Sequence, residues 1–188
     1  MKTADLQQTF AETGALLKGH FLLSSGLHSD QYLQCALLLA HPDQAERLGS
    51  QLAALQSPQP ELVVSPAMGG LIIGHEVARA LKVRHYFMER ADGLMTLRRG
   101  FALKRGERVA VVEDVVTTGK SSREVFAVIE AAGAEVAGWL SIVDRSGEKA
   151  AGLKSLLRID VPSWPQARCP LCKKGVPFVK PGSRNQPK

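Results

Sequence analysis

Residues 109–122 read VAVVEDVVTTGKSS: a short apolar run, adjacent carboxylates at Glu113 and Asp114, then hydroxyls gathered around Gly119. The apolar run predicts a buried strand, and the following REVFAVIEAAG predicts a helix. An unpaired carboxylate in a real interior costs several kcal/mol. Two of them at the end of a buried strand therefore imply a ligand that wants them. The loop between strand and helix has the parts of an anion cradle. Thr117, Thr118, Ser121 and Ser122 carry hydroxyls, Gly119 allows a tight turn, and the helix start presents unpaired N–H groups. Carboxylates accept hydrogen bonds without donating any, so Glu113 and Asp114 suit the vicinal hydroxyls of a ribose or, through water, a magnesium ion. Together the two halves describe a sugar-phosphate site.

Two better-known phosphate loops are excluded. Gly119, Lys120 and Ser121 match the end of a Walker A sequence, but that motif needs glycine at position 114, where Asp114 stands. No G-x-G-x-x-G follows a strand either, which removes a dinucleotide fingerprint.

Working outward, the chain reads strand ELVVS, loop PAMGG, helix LIIGHEVARAL, strand VRHYFME, a polar stretch from Arg90 to Glu107, strand RVAVVED, and strand EVAGWLSIVD after the helix. Apolar strands without clean alternation, each followed by a helix, predict a doubly wound α/β core with a mostly parallel sheet. Both glycine-containing loops emerge at the carboxyl ends of its strands, where such sheets bind ligands. The polar stretch predicts a hairpin with LMTLRRGFAL as its arms, or a loop over the site. Before the core, a helix over Thr3 to Leu17, two strand-like pieces within HFLLSSGLHSDQYLQC, and a helix from Pro42 with Ala45, Leu48, Leu52 and Leu55 on one face are expected.

Composition bounds the answer. The chain has 188 residues, 45% hydrophobic and 22% charged, with no apolar run near the roughly 18 residues that cross a bilayer. One globular domain without a membrane segment is expected, and MKTADLQQTF lacks the apolar centre of a signal peptide, so a cytoplasmic protein is expected. The net charge of +6 lies entirely in residues 168–188, at Arg168, Lys173, Lys174, Lys180, Arg184 and Lys188. No aromatic-interleaved stretch accompanies this Pro- and Gly-rich tail, so a solvated terminus is expected and no nucleic-acid surface.

Apolar strand, acidic pair and TTGKS resemble the signature of the type I phosphoribosyltransferases, which use phosphoribosyl pyrophosphate (PRPP). FLLSSGLHSDQY, SPAMGG and SIVDRSG resemble the orotate-using branch of that family, in order, from Phe21 to Gly147. The resemblance implies a central, mostly parallel sheet flanked by helices under a small N-terminal hood. Hood elements would occupy about 1–58, the core 59–167, and the tail with CPLC 168–188. It further implies that Glu113, Asp114, Val115, Val116, Thr117, Thr118, Gly119, Lys120 and Ser121 hold the ribose and 5-phosphate, with Glu113 and Asp114 the catalytic carboxylates. Met68 and Gly69 would face the pyrophosphate. Tyr32, Leu33, Thr117 and Arg145 would contact orotate. A guanidinium suits that planar anion independently, the plain alternative for Arg145 being a surface ion pair with Asp144.

The family pattern commonly has a lysine where this chain has Ser24, and a loop carrying an Arg-Lys, a second Lys and a His. Here only Arg90 matches that loop, and Arg98 and Arg99 are the candidate pyrophosphate contacts. The implied reaction transfers the phosphoribosyl group of PRPP to orotate, with Mg2+ held mainly by PRPP, in a homodimer. A transferase for another base, or a PRPP-sensing nucleic-acid-binding regulator, remain the alternatives.

Three cysteines stand apart. CPLC at 169–172 resembles half of a zinc ribbon, but a closed site needs four ligands. They would have to come from Cys35, a histidine or a second subunit. Reduced thiols or a tail disulfide are expected instead, no protein ligand to a metal is assigned, and His20, His28, His41, His75 and His85 are expected to be structural or exposed.

Overall fold

The computed structural model describes residues 3–23, 26–147 and 150–181. Its frame is a six-stranded sheet of order β5-β4-β3-β6-β7-β8. The strands are β3 (Leu62–Pro66), β4 (Arg84–Ala91), β5 (Leu94–Leu97), β6 (Arg108–Val116), β7 (Glu135–Asp144) and β8 (Leu153–Arg158). Every pairing is parallel except β4 with β5. Helices α3 (Pro42–Leu55) and α4 (Gly70–Leu81) cover one face, and α5 (Lys120–Ala131) covers the other.

Strict alternation sorts the sheet's side chains between these layers. In β3 and β6, Val63, Ala110 and Val112 pack with Ile73 and Val77 of α4. Leu62, Val64, Val109 and Val111 pack with Val125 and Ile129 of α5. All are under 1% exposed, and each such side chain contributes about 1.5–3 kcal/mol when removed from water. Both faces are apolar because both are covered, which is why these strands read as continuous runs.

A three-stranded antiparallel hood sheet of order β1-β2-β9 sits over the carboxyl edge, made of β1 (Leu16–Leu22), β2 (His28–Leu33) and β9 (Ser163–Trp164). The expected first helix stops early. Helix α1 covers Thr3–Glu12, and Leu16 and Leu17 belong to β1, because Gly14 takes a left-handed φ of 67° and turns the chain. Leu55, expected on the buried face of α3, is 37% exposed at the helix end. Three short elements lack a clear pattern in the sequence: α2 (Cys35–Leu39), β8 and β9. Only Leu157 of β8 is buried, since β8 is an edge strand.

The polar stretch does form a hairpin, but with different arms. The turn is Asp92–Gly93, with φ of 52° and 83°, and it pairs 88–91 of β4 with Leu94–Leu97. Two successive positive φ values suit a tight hairpin turn, and Asp-Gly is the dipeptide that tolerates them. The basic segment 168–181 is folded back on the hood: α6 (Pro170–Lys173) follows a 3-10 turn, and Leu22 N–H donates to Val179 O at 2.8 Å while Val179 N–H donates to His20 O at 2.8 Å. No helix among the described residues is long and apolar enough to cross a membrane.

Helices α3 and α4 touch through Gly49, where an added Cβ would lie 2.5 Å from Glu76 Cβ and 2.7 Å from its carbonyl carbon. Gly49→Ala is expected to cost about 1–3 kcal/mol of unfolding free energy by overpacking, read by urea denaturation, with the folded fraction retaining full activity.

Candidate active site

Alternation along β6 decides where the two carboxylates go. Val109 and Val111 face α5, and Glu113 follows them: it is 8% exposed and accepts a hydrogen bond from Ser122 Oγ in the first turn of α5. Asp114 points to the opposite face, toward Tyr32, Cys35 and the loop after β3. The adjacent acids therefore occupy different sides of the sheet's edge rather than one anionic patch. Ser122, a candidate donor to the anion in the sequence, is buried and committed to Glu113.

Two cavities meet at this edge. One, of about 360 Å³, is lined by Tyr32, Leu33, Asp114, Val115, Thr117, Thr118 and Arg145, with Leu23, Leu27, Gln34, Ser146, Val161 and Ser163 completing its wall. The other, of about 370 Å³, is lined by Glu113 and by residues 115–121. They share Val115, Thr117 and Thr118. The second is the anion cradle: Gly119 adopts φ 71°, no side chain caps α5, and only Lys120 N–H finds Thr118 Oγ1, at 3.3 Å. The N–H groups of a helix start attract an anion through both their hydrogens and the aligned peptide dipoles.

The electrostatics of the first cavity are set by what Asp144 does. Asp144 Oδ1 accepts from Ser146 N–H at 2.8 Å and Ser146 Oγ at 2.6 Å, while Oδ2 accepts from Arg158 Nε and Nη2 at 3.0 and 2.9 Å. Burial opposes ionisation there, but these donors outweigh it and hold the carboxyl below its usual range. Asp144 is thus taken, and the ion pair it would make with Arg145 does not form. Arg145 turns into the cavity, with Nε buried and without a partner among the described residues. Burial lowers its pKa, partly offset by nearby Tyr32. An unsatisfied cation in a cleft wall is a docking point for an anion.

Tyr32 is raised by burial and then by Asp114. Burial also raises Asp114, against the N–H of Val115, which donates to Oδ1 at 2.8 Å. Glu113 is pushed up to about 7 by burial, with Ser122 opposing and Asp114 adding to the shift.

The remaining expected site residues divide. Gly69 sits directly over Asp114, since an added Cβ would lie 2.5 Å from Oδ1, and Met68 beside it is 79% exposed. The PAMGG loop therefore lies against Asp114 but not Glu113, and neither Met68 nor Gly69 lines either cavity. Arg90 flanks the cradle without lining it, donating to Gly93 O at 2.9 Å and pairing with Glu124 of α5. Arg98 and Arg99 line neither cavity. Both pair with Glu89, at 3.6 and 3.1 Å. Ser24 lies outside the described residues. Sequence reading missed Arg123, whose guanidinium donates to Thr118 O and so braces the cradle from below. Its position one turn into α5 was the available signal.

A sheet-edge crevice with an uncapped helix start on one side and a carboxylate beneath a glycine loop on the other defines a phosphoribosyltransferase. Comparisons agree: residues 38–167 match the phosphoribosyl transferase domain family. The chain is 52% identical over 186 residues to orotate phosphoribosyltransferase of Carboxydothermus hydrogenoformans, covering 96% of this chain and 97% of that protein. It is 50% identical over 183 residues to the enzyme of the same name from Thermotoga maritima, covering 95% and 98%. A crystal structure of orotate phosphoribosyltransferase from Aeropyrum pernix superposes with a TM-score of 0.69 at 27% identity, covering 82% of this chain and 93% of that one. Adenine phosphoribosyltransferase from Thermoanaerobacter pseudethanolicus shares the fold, with a TM-score of 0.60 at 18% identity. The chain belongs to the phosphoribosyltransferase family, on its orotate phosphoribosyltransferase branch.

The Glu113 shift has a sign. A carboxyl whose folded pKa is about 7 against an ordinary 4.5 binds a proton more tightly folded than unfolded. Stability is full below pH 4.5 and falls as pH rises through 7, by roughly 3 kcal/mol at most. Glu113→Gln is expected to flatten this slope and make the ligand-free protein more stable than wild type at pH 8, read by urea denaturation at pH 5 and 8.

Proposed function

We propose that the chain transfers the 5-phosphoribosyl group of PRPP to orotate, releasing orotidine 5-phosphate and pyrophosphate, in cytoplasmic pyrimidine synthesis. The observation that carries this is the buried, unpartnered Arg145 Nε facing a cavity that shares its wall with an anion cradle. Arg145 would donate to the carboxylate or ring carbonyl of orotate, with Tyr32 and Leu33 against the ring and Thr117 beside it. Residues 117–121 would hold the 5-phosphate, and Met68 and Gly69 the pyrophosphate. Arg98 and Arg99 reach that pyrophosphate only by releasing Glu89.

In the reaction the orotate ring nitrogen bonds to the anomeric carbon as the bond to pyrophosphate breaks, and the proton of that ring N–H passes to the departing pyrophosphate or to water. Positive charge develops on the ribose. Asp114 stabilises it from one side, and Glu113 from the other, because a nearby cation favours the ionised form that burial suppresses. The donor set here is two carboxylates already engaged by Ser122 and by Val115 N–H. It fits a magnesium ion carried on PRPP oxygens, with the carboxylates reaching its waters, better than one caged by protein. When bound, that ion supplies charge neutralisation for the leaving pyrophosphate. A homodimer is the assembly that the family resemblance implies.

Mixing the protein with PRPP, magnesium and orotate should remove orotate absorbance, with adenine and uracil inert. Consumption of adenine instead would refute the base assignment. Asp114→Asn should lower kcat by about 100-fold. Arg145→Ala should raise KM for orotate by about 10- to 100-fold and leave KM for PRPP nearly unchanged. Equal rises in both constants would remove Arg145 from the base.

A further inference from the structure

From sequence alone CPLC is half a metal site; the fold supplies the other half. The Cys169 and Cys172 Sγ atoms come together with His20 Nε2 and His28 Nδ1, all four atoms lying within 4.8 Å of one another. Two of the histidines expected to be structural or exposed are thus grouped with the paired thiols, whereas Cys35 sits in the main core beside Asp114. We propose that His20, His28, Cys169 and Cys172 bind a structural zinc ion that ties the hood hairpin to the C-terminal segment.

The spacing is that of a coordination shell. Zinc bonds of about 2.3 Å to sulfur and 2.0–2.1 Å to nitrogen, arranged tetrahedrally, place ligand atoms roughly 3.3–3.8 Å apart. Here His20 Nε2 lies 3.4 Å from Cys169 Sγ and 3.7 Å from Cys172 Sγ, and His28 Nδ1 lies 3.4 Å from Cys172 Sγ. The two ring nitrogens approach closer, at 2.7 Å, and would open by about half an ångström around an ion.

The orientation of His20 points the same way. Its Nδ1 lies 2.7 Å from Val176 O. A donated hydrogen bond there fixes the tautomer with the Nε2 lone pair aimed into the cluster, the outer-shell arrangement that metal-bound histidines use. His20, His28 and Cys169 are each at most 3% exposed, and Phe178 covers both rings edge-on at centroid distances of 5.7 and 5.0 Å. Two thiolates and two imidazoles form a donor set that, placed tetrahedrally about an ion, suits zinc among common divalent ions. All three cysteines are free thiols rather than a disulfide.

The site has mechanical work to do. His20 is on β1, His28 on β2, Cys169 immediately precedes α6 and Cys172 lies within it. Neither hydrophobic cluster includes His20, His28 or Cys169. The hairpin joins the main core through Leu16 and Leu33 at its base, away from the two histidines, and a small unit of this kind is commonly held by a metal. Leu23 and Leu27, in the turn between the two histidines, line the cavity beside Tyr32, so the ion would hold that wall.

The zinc site is independent of the choice of substrate, and the full chain is the protein to test. Protein purified in zinc-supplemented buffer with reductant, then dialysed against metal-free buffer, should retain about one zinc per chain by elemental analysis. Cys169→Ser/Cys172→Ser should weaken zinc binding by more than about 100-fold, whereas Cys35→Ser should keep a full equivalent. Should the double variant fail to fold, cobalt exchanged into wild type gives the readout: thiolate-to-cobalt charge transfer with intense tetrahedral visible bands is the expected spectrum. Removing the ion with a chelator should lower the thermal midpoint, and restoring zinc should recover it. Less than about a tenth of an equivalent after reconstitution, an octahedral cobalt spectrum, or undiminished zinc in the double variant would each overturn the assignment.

Discussion

The two-residue period of β6 is the constraint on which the site depends. Because Val109 and Val111 must meet α5 while Ala110 and Val112 meet α4, the next two residues are sent to opposite faces with no further instruction. A one-residue slip would exchange every side chain between the layers, so the hydrophobic packing of four small residues fixes the position of two charges. Glu113 lands against the first turn of α5, and Asp114 lands beneath Gly69. Adjacent carboxylates are tolerable at the strand end because their side chains point to opposite faces of the sheet.

That separation gives the two acids different chemistry. Glu113 is tied to Ser122 and shifted to about 7 by burial, so its charge state responds to whatever enters the cradle. Asp114 is raised by burial but keeps the Val115 N–H and faces the cavity shared with Tyr32 and Arg145. The same division of labour recurs one strand over. Asp144 and Arg145 are neighbours in sequence, yet Asp144 is consumed by Ser146 and Arg158, and this leaves the half-buried Arg145 without that ion-pair partner, its Nε turned into the cavity. Arg158 comes from β8, so an edge strand with one buried leucine controls the electrostatics of the cleft.

The α/β core was legible because its strands are long, apolar and separated by glycine loops. Strand β7 follows the sequence pattern over EVAGWLSIVD from end to end, and the cradle follows from Gly119 and its hydroxyls. Other features were not legible, for physical reasons. Leu16 and Leu17 continue the helical spacing of Leu6 and Phe10, and only the left-handed turn at Gly14 separates them. LKSLLR carries neither alternation nor turn signals, since an edge strand half open to solvent is free of both. Asp92–Gly93 was the stronger turn signal in the polar stretch, and tertiary pairing with β4 placed the hairpin there rather than at Arg99–Gly100. Pairing with Glu89 then occupies Arg98 and Arg99, which no local pattern reveals. Ser122 read as a ligand donor because its hydroxyl is in the right segment; its direction depends on the helix phase.

The cleft is built by both ends of the chain, and this determines how rigid its base-side wall can be. Tyr32 and Leu33 come from β2, while Val161 and Ser163 come from the segment that follows β8. Ser29 Oγ joins them by donating to Pro162 O at 2.9 Å, beside the β2–β9 pairing of His28 with Trp164 and Ser29 with Ser163. At the other end of β2, Gln34 N–H donates to Ala15 O at 2.8 Å. The hairpin is thus pinned at its base by backbone bonds and at its outer end by the His20–His28–Cys169–Cys172 cluster. Each such hydrogen bond contributes only about 0.5–1.5 kcal/mol, little to hold the outer end of the hairpin in one position. Four ligands drawn from three elements on one ion remove that freedom in a single step, and they do so without adding polar groups to the cavity, where Arg145 must remain the sole free cation facing Tyr32 among the described lining residues.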